Sequence, residues 1–451
     1  MQYSSDYVVV GAGAMGMAFC DEILSNTNDT ITIIDERSMP GGHWQDSYPF
    51  IKLDQLPTEY GVNSIDLLGA NVGEEADNTV SSRRASGRDV KEYFQDVMNK
   101  FLSTGRVRYL CDARFDWDDK VVVIGSDKVI HPVVAYKKMV NATWTQSEVP
   151  SRHQRPFIVT PEVCCIAPND APDSLTGRDN FFVVGSGKTA IDTLLWLLSE
   201  LNDPDRIKWV MPSHSWLINR EFYRSKQRIS AILGPYEAAL NAQNLEELSC
   251  AMEQEKFWLR IDETVFPSAF RGAGVVEDDL IQLRKIKNRI ELGRLKSVEK
   301  DFLILENGKH SLPPRSLIID CTAAGVPKKL TLPSQIFEDD KIHLLLVRSH
   351  QANFSGAAIG KVTSMDISDD EKNMLVAPIV MTGTVKGWAQ QLKTEVQNQN
   401  RWYVNLEMRQ WLNSARLNGF NANTADEFII EKLNRFREIS KVASDRLAEL
   451  Q

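Results

Sequence analysis

Two glycine-rich segments of the chain have the residue types and spacing that bind a diphosphate. They read GAGAMG over residues 11–16 and GSGKTA over residues 185–190. In such a turn the first glycine permits a tight bend, the second lets the backbone approach a diphosphate, and the last position must be small for helix packing. The candidate phosphate-contacting residues are Gly11, Gly13, Ala14, Met15 and Gly16 in the first turn, and Gly185, Ser186, Gly187, Lys188 and Thr189 in the second.

The segments on either side of both turns favour the strand–turn–helix order that a dinucleotide site needs. Apolar runs at 6–10 and 180–184 predict buried parallel strands, and helical spacing predicts helices over 17–24 and 191–198. The diphosphate would lie at a helix N-terminus, where free N–H groups and the helix dipole favour negative charge. The second turn also resembles the end of a nucleoside-triphosphate loop, but Phe182 stands where that motif requires glycine. We therefore expect an α/β fold with two Rossmann-like dinucleotide-binding domains.

The first unit continues with an acidic strand end and a pair of glycines. The strand-like run 30–34 ends at Asp35, about 20 residues beyond the glycines, where a carboxylate accepts hydrogen bonds from a ribose 2′-OH. The segment DERSMPGGHW over residues 35–44 resembles the flavin monooxygenases that bind FAD. The resemblance implies that the first site holds FAD, with the acid on the adenosine ribose and the glycine pair along the cofactor. The residues it implicates are Asp35, Glu36, Arg37, Gly42, His43 and Trp44.

Two further segments resemble the points where that family's chain crosses between its domains. The run 133–140 leads into Asn141, Ala142 and Thr143, although Trp144 follows where the family has glycine, and 317–323 resembles the return crossing. The resemblance implies an FAD domain over 1–145 and 315–384, an inserted NAD(P) domain over 146–314, and a C-terminal helical region over 385–451. Within these we predict a helical insertion at about 227–290, with helices at 235–258 and 276–290, and further helices at 388–417 and 424–450. A substrate lid, core packing and a homodimer contact are alternative roles for these helices.

The second unit lacks an acid at the end of its second strand. Met211 occupies the position that corresponds to Asp35, so nothing there repels a 2′-phosphate. Ser213, His214 and Arg220 follow and could bind one. The sequence therefore favours NADPH over NADH at this site, with NADH as the alternative.

The chemistry itself would come from the flavin, so no catalytic triad is required. In the flavin monooxygenases the stretch equivalent to 48–55 passes near the isoalloxazine ring, and Asp54 and Gln55 are the candidates here, with an exposed surface loop as the alternative. No CxxC or CxxxxC follows residue 42, which argues against a disulfide reductase. The family's FxGxxxHxxxW identifier is also missing: the stretch 157–178 has Phe157 but neither the glycine nor the histidine.

Three functions remain open from the sequence. The first is an NADPH-dependent flavin monooxygenase that acts on a small organic substrate with O₂. The second is a dehydrogenase, oxidase or reductase without oxygen insertion, and the third is a non-catalytic FAD-binding protein. Beyond the domain crossings, the chain is similar from Tyr7 to about Val362 to a less characterised set of bacterial FAD/NAD(P)-dependent oxidoreductases, through segments such as VVGSGKTAIDT and IIDCTA.

Composition restricts the partners and the location. The 451 residues carry a net charge of -9, which gives no overall attraction for nucleic acid or an anionic membrane. No signal peptide is visible, and apolar runs such as 194–198 are too short to cross a bilayer. The six cysteines show neither CxxC nor zinc spacing. We expect a cytoplasmic protein without a metal site.

Overall fold

The computed structural model describes residues 2–67, 84–145, 148–222, 228–325, 332–419 and 427–450. The strands are β1 (Tyr3–Val10), β2 (Ile31–Ile34), β3 (Val107–Leu110), β4 (Ala113–Asp116), β5 (Val121–Ile124), β6 (Val129–Asn141), β7 (Ile158–Val159), β8 (Cys165–Ile166), β9 (Asn180–Val184), β10 (Ile207–Val210), β11 (Ser215–Asn219), β12 (Trp258–Leu259), β13 (Ala269–Val275), β14 (Arg289–Ile290), β15 (Leu295–Val298), β16 (Phe302–Leu305), β17 (Gly308–Ser311), β18 (Ser316–Asp320) and β19 (Lys341–His343). The helices are α1 (Ala14–Asn26), α2 (Gly87–Ser103), α3 (Ala171–Ser174), α4 (Lys188–Leu201), α5 (Arg228–Asn241), α6 (Leu245–Gln254), α7 (Glu277–Leu283), α8 (Ala352–Thr363), α9 (Asp369–Leu375), α10 (Val385–Val404), α11 (Leu406–Ser414) and α12 (Glu427–Glu449).

The first glycine turn belongs to a seven-stranded sheet in which β1 is central. The strand order is β3-β2-β1-β6-β5-β4, and β19 also pairs with β6. β3, β2, β1, β6 and β19 are parallel, while β5 pairs antiparallel with the first part of β6 and β4 pairs antiparallel with β5. Because the carboxyl ends of parallel strands share one edge, Gly11, Asp35 and Ala142 come together there. The predicted α/β fold class is confirmed.

The second glycine turn belongs to a separate five-stranded parallel sheet. Its order is β14-β10-β9-β18-β8, so β9 lies next to both β10 and β18. β18 pairs with β9 along its whole length, from Ser316 to Asp320. The boundary predicted at 315 is therefore wrong by one strand, because 316–320 completes the second sheet before the chain returns to the first.

The insertion predicted as largely helical contributes two strands, β12 and β13, to a three-stranded sheet whose central strand, β11, precedes it in the chain. The helix predicted over 235–258 is instead α5 followed by α6, since the Asn244 side chain accepts a hydrogen bond from Glu247 N and starts a new helix. The helix predicted over 276–290 ends with α7 at Leu283. Beyond it, Met211 N donates to Ile290 O and draws the segment into the second sheet as β14. The predicted start of the insertion at 227 lies outside the described residues.

The C-terminal region forms three helices. The predicted helix 388–417 is divided into α10 and α11, because the Asn405 side chain accepts a hydrogen bond from Met408 N and caps a second helix. α12 confirms the last predicted helix, whose predicted start at 424 lies outside the described residues. α12 packs against α5 and α10, and Phe436 and Ala443 are buried in one apolar cluster with residues of the insertion. No helix in the described ranges is long and apolar enough to span a bilayer.

The helix that follows the first glycine turn is packed closely against α8. A Cβ on Gly356 would lie 2.2 Å from Met15 O, and one on Gly360 would lie 2.9 Å from Phe19 O. These two glycines therefore allow α8 to approach the backbone of α1. The contact fixes α1, and with it the amide groups of its first turn.

Glu22 on α1 gives the stability of this packing a pH dependence. Its carboxylate is 3% exposed and accepts hydrogen bonds from Asn63 and from Trp411 Nε1. Burial raises the pKa of Glu22 to about 7. The folded state therefore binds a proton that the unfolded chain releases above its ordinary pKa, so stability falls as pH rises toward 7, on the order of 3 kcal/mol.

We expect Glu22→Gln to remove this part of the pH dependence. Urea unfolding of both proteins at pH 5 and pH 8 should show that the variant loses less stability between the two values. Glu162→Gln, at an exposed position, is the matched control and should behave like the unchanged chain. Equal pH slopes for Glu22→Gln and the unchanged chain would contradict this account.

Candidate functional site

The first glycine turn has no room for side chains at two of its glycines. A Cβ on Gly11, whose φ is +112°, would lie 3.2 Å from Ala142 O, and one on Gly16 would lie 2.2 Å from Gly11 O. Gly13 is the N-cap of α1 and offers no side chain to the free amides of that helix. These amides border a cavity of about 600 Å³, the first-turn cavity, which Gly13, Ala14 and Met15 help to line. The turn therefore has the form of an anion site at a helix N-terminus.

The glycine pair at 41–42 lies directly against this turn. Gly41 N donates to Ala12 O at 2.9 Å, and a Cβ on Gly42 would lie 2.9 Å from Gly13 Cα. Next to the pair, His43 lines the first-turn cavity, where desolvation and Arg37 lower its pKa to about 4. Trp44 is buried and its Nε1 donates to Tyr60 Oη at 2.6 Å, so it supports the turn from behind.

The two acidic residues at the end of β2, Asp35 and Glu36, have different surroundings. Asp35 accepts hydrogen bonds from Ala12 N at 2.6 Å and Arg37 N at 2.8 Å, so its carboxylate holds the glycine turn while lining the cavity. Burial raises the pKa of Asp35. The Glu36 carboxylate is half exposed and lies 3.5 Å from Arg152. The structure thus offers Glu36 as a more accessible ribose-binding carboxylate beside Asp35.

The predicted crossing residues also border the first-turn cavity. Ala142 N donates to Val10 O at 2.9 Å, and Thr143 donates to Asn141 Oδ1 from both its backbone N and its hydroxyl. Ala142 and Thr143 line the cavity together with Trp144, whose indole donates to His343 Nδ1 at 3.0 Å. The tryptophan that replaces the family's glycine is thereby fixed against β19.

The second glycine turn repeats the first. A Cβ on Gly185, whose φ is +133°, would lie 2.7 Å from Cys321 O. Gly187 is the N-cap of α4 and leaves its amides without a side-chain partner. Thr189 lies in the first turn of α4 and accepts a hydrogen bond from the Thr193 hydroxyl at its carbonyl. Lys188 is directed toward the first domain, where it pairs with Asp192 and lies 3.6 Å from Asp54.

Arg271, which the sequence did not identify, lies beside the second turn. Its guanidinium donates to Ser186 Oγ and to Ser213 Oγ, both at 2.9 Å. It is exposed, and among the described residues no carboxylate forms an ion pair with it. The structure thus brings Ser186 and Ser213 together around an accessible positive charge, a suitable site for a phosphate.

Arg220 does not lie at this phosphate site, contrary to the prediction. It is 5% exposed; Nη2 donates to Asp279 Oδ2 at 2.6 Å, and Nη1 lies 3.3 Å from Asp54 Oδ1. Both carboxylates neutralise a guanidinium that faces a different cavity. The predicted 2′-phosphate role of Arg220 is therefore corrected, and Arg271 is better placed for it.

The second cavity, the aromatic cavity, has a volume of about 250 Å³ and is lined by Asp54 and Gln55. Its apolar wall includes Trp258, Phe270 and Trp388. Asp54 forms ion pairs with Arg84 and Arg220, and Gln55 Nε2 donates to His350 O at 2.6 Å. The structure therefore places the two residues that were predicted to lie near the flavin ring on a cavity wall. Among the described residues, no cluster of three histidine, cysteine or carboxylate side chains could hold a metal ion.

The chain is similar to two uncharacterised mycobacterial proteins. One is from Mycobacterium bovis and one from Mycobacterium tuberculosis, and each is 35% identical over 427 residues, or 92% of this chain and 77% of the relative. No protein-family model matches the chain.

Among solved structures, the closed form of cyclohexanone monooxygenase superposes with a TM-score of 0.52 and 14% identity, covering 100% of this chain and 97% of that one. A polycyclic ketone monooxygenase from Thermothelomyces thermophila gives a TM-score of 0.52 with 12% identity, covering 98% and 89%. An oxidised steroid monooxygenase bound to NADP gives 0.50 with 12% identity, covering 99% and 97%. At these identities the similarity concerns the fold.

Proposed function

Because the chain belongs to the family of the two mycobacterial proteins and has the fold of the flavin-dependent monooxygenases, we propose that it is an oxidoreductase that binds FAD and NADPH. Within this class, we propose that it is a monooxygenase acting on a small organic substrate with O₂.

The observation that carries FAD binding is the form of the first-turn cavity. Its volume is in the range of cofactor sites, and the uncapped amides of α1 lie at its edge. Gly13 places no side chain over these amides, which leaves them accessible to a diphosphate, and the Glu36 carboxylate is accessible for a ribose. When bound, FAD would supply hydride acceptance and the electrons for reaction with O₂.

The observation that favours NADPH is the accessible charge of Arg271 beside the second turn. We propose that Arg271 and Ser213 bind the 2′-phosphate, while the amides of α4 bind the diphosphate. A guanidinium binds phosphate through charge-assisted hydrogen bonds, and no carboxylate stands at Met211 to oppose this.

We expect Arg271→Ala to lower the preference for NADPH. Its KM for NADPH should rise by roughly 10- to 100-fold, because one or two charge-assisted hydrogen bonds are lost. The KM for NADH, which lacks the 2′-phosphate, should change little and serves as the internal control. Steady-state oxidation of each nicotinamide checks this. An equal loss with both would show that Arg271 does not recognise the 2′-phosphate.

The aromatic cavity is the proposed substrate site, and its charges indicate an uncharged substrate. Arg220 lies 3.3 Å from Asp54, and Arg228 forms an ion pair with Glu59. The third pair of opposite charges is Arg348 and Glu395. Burial lowers the pKa of Arg348 to about 10, and attraction to the Glu395 carboxylate raises that pKa. The six charged lining residues thus balance one another, which leaves the aromatic wall to bind an apolar molecule.

The second candidate function, oxidation or reduction without oxygen insertion, is favoured by the missing FxGxxxHxxxW identifier. Adding NADPH under nitrogen distinguishes an enzyme from a non-catalytic FAD-binding protein. With or without oxygen insertion, the enzyme should lose its visible flavin absorbance, and the non-catalytic protein should not. Admitting ¹⁸O₂ in place of air, with a panel of uncharged ketones, phenols and sulfides, then separates a monooxygenase from an enzyme that does not insert oxygen. Label in a product supports a monooxygenase, whereas re-oxidation without labelled product across the panel supports the second candidate.

A further inference from the structure

One histidine joins the two cavities. Of the described residues, His350 alone lines both the first-turn cavity and the aromatic cavity. It precedes α8, in the loop that also contributes Arg348 and Ser349 to the aromatic cavity. One side chain therefore faces the proposed cofactor site and the proposed substrate site at once.

The backbone and neighbours of His350 fix the position of its ring between the two cavities. Its φ is +56°, a left-handed conformation that is uncommon outside glycine, and Gln55 holds its carbonyl with a 2.6 Å hydrogen bond. The ring fills the space beside Gly272, where a Cβ would lie 2.2 Å from His350 Cε1. Phe270 meets the ring edge-on at 6.4 Å. Because Gly272 has no side chain, the His350 ring can occupy this position, and its neighbours hold it there.

The polar atoms at this point have no partner. Within the described part of the chain, neither ring nitrogen of His350 forms a hydrogen bond, although the residue is exposed to the cavity space. Next to it, Ser349 Oγ is buried and has no hydrogen-bond partner there either. Desolvation lowers the pKa of His350 to about 4, so at neutral pH the imidazole offers one donor and one acceptor.

We propose that His350 is a substrate-binding residue whose imidazole hydrogen-bonds an oxygen of an uncharged substrate and holds that group at the opening between the two cavities. This inference rests on the proposed function. It follows from the balanced charges of the aromatic cavity and from the ring of His350, which forms no hydrogen bond within the described part of the chain and so can recognise a neutral ligand. His350 would also contact FAD from the same position.

A spectroscopic experiment tests whether one ring senses both sites. The seven histidines are labelled with ¹³C at the ring, and the His350 resonance is identified by its loss in His350→Asn. We expect that resonance to shift when FAD is added to the apoprotein, and again when cyclohexanone or phenol is added to the holoprotein. His310, a half-buried histidine of β17 that lines neither cavity, should shift with neither. A His350 resonance that moves with neither cyclohexanone nor phenol overturns the proposal.

Two variants give a second readout through the affinity for the same probes. His350→Gly removes the ring and tolerates the positive φ, and His350→Asn keeps a hydrogen-bonding side chain in a conformation that asparagine accepts. Probe binding, followed by perturbation of the flavin absorbance, should weaken about tenfold in His350→Gly and partly recover in His350→Asn. His310→Gln is the matched control.

The two levels of inference fail differently. If the unchanged protein does not take up FAD, or NADPH does not bleach it, the proposed function fails. If the unchanged protein is bleached, and the His350 variants bind the probes as it does, only the role of His350 is wrong.

Discussion

The Gly13→Val protein is expected to purify without bound flavin. Gly13 has extended backbone angles, and its Cβ would lie 3.7 Å from Gly42 Cα, an ordinary contact. Valine is therefore compatible with the fold, but its methyl groups would enter the first-turn cavity beside the free amides of α1, where a diphosphate would lie. Losing the charge-assisted bonds to the α1 amides should weaken FAD binding by roughly 1,000-fold, or about 4 kcal/mol.

This result is measured by titrating apoprotein with FAD and following the quenching of flavin fluorescence. Because bound ligand itself raises thermal stability, the Tm of the variant must be compared with that of the unchanged apoprotein. A similar Tm shows that the variant is folded. If a folded Gly13→Val protein binds FAD like the unchanged chain, the first-turn cavity is not the FAD site.

Gly187→Val should give the complementary result: a yellow protein that NADPH no longer bleaches. A Cβ on Gly187 meets no atom within 4 Å, so we expect the valine variant to fold. The valine side chain would stand at the N-terminus of α4, beside the amides that no side chain caps. We expect anaerobic flavin reduction at subsaturating NADPH to slow by roughly 100-fold, because the diphosphate loses its closest approach to the amides.

Dithionite provides the control for this variant, since it reduces flavin without using a nicotinamide site. Dithionite should bleach Gly187→Val as it bleaches the unchanged protein, and the FAD affinity should be the same. Each glycine variant thus serves as the matched control for the other. Bleaching of Gly187→Val by NADPH at the normal rate would mean that the second turn does not bind the nicotinamide cofactor.

The parts of the site that the sequence predicted are local in the chain. Within each glycine turn, 11–16 or 185–190, the glycines fall inside a span of six residues. The strands and helices that flank each turn follow from short apolar patterns. Asp35 was found because its distance from the glycines is fixed by one strand–helix–strand unit. Its contact with Ala12 N was not foreseen, because hydrogen bonds of a strand-end acid depend on the geometry of the turn beside it.

Residues brought in by tertiary contacts were not predictable in this way. Arg271 lies 85 positions from Ser186, on a strand that was expected to be part of a helical insertion. The signal that was available is the FRGAG run at 270–274, in which two glycines beside an arginine indicate close backbone packing. Arg220 was misplaced for the same reason, since its ion pair with Asp279 depends on how the insertion folds.

α12 completes the aromatic cavity, to which it contributes Leu433 and Phe436. The first-turn cavity, in contrast, has all its described lining residues by Met381. A ribosome making this chain therefore finishes the compartment proposed for the cofactor while the wall of the other compartment is still untranslated. The lining of the cavity proposed for FAD is therefore complete in the chain before Leu433 and Phe436 join the aromatic cavity.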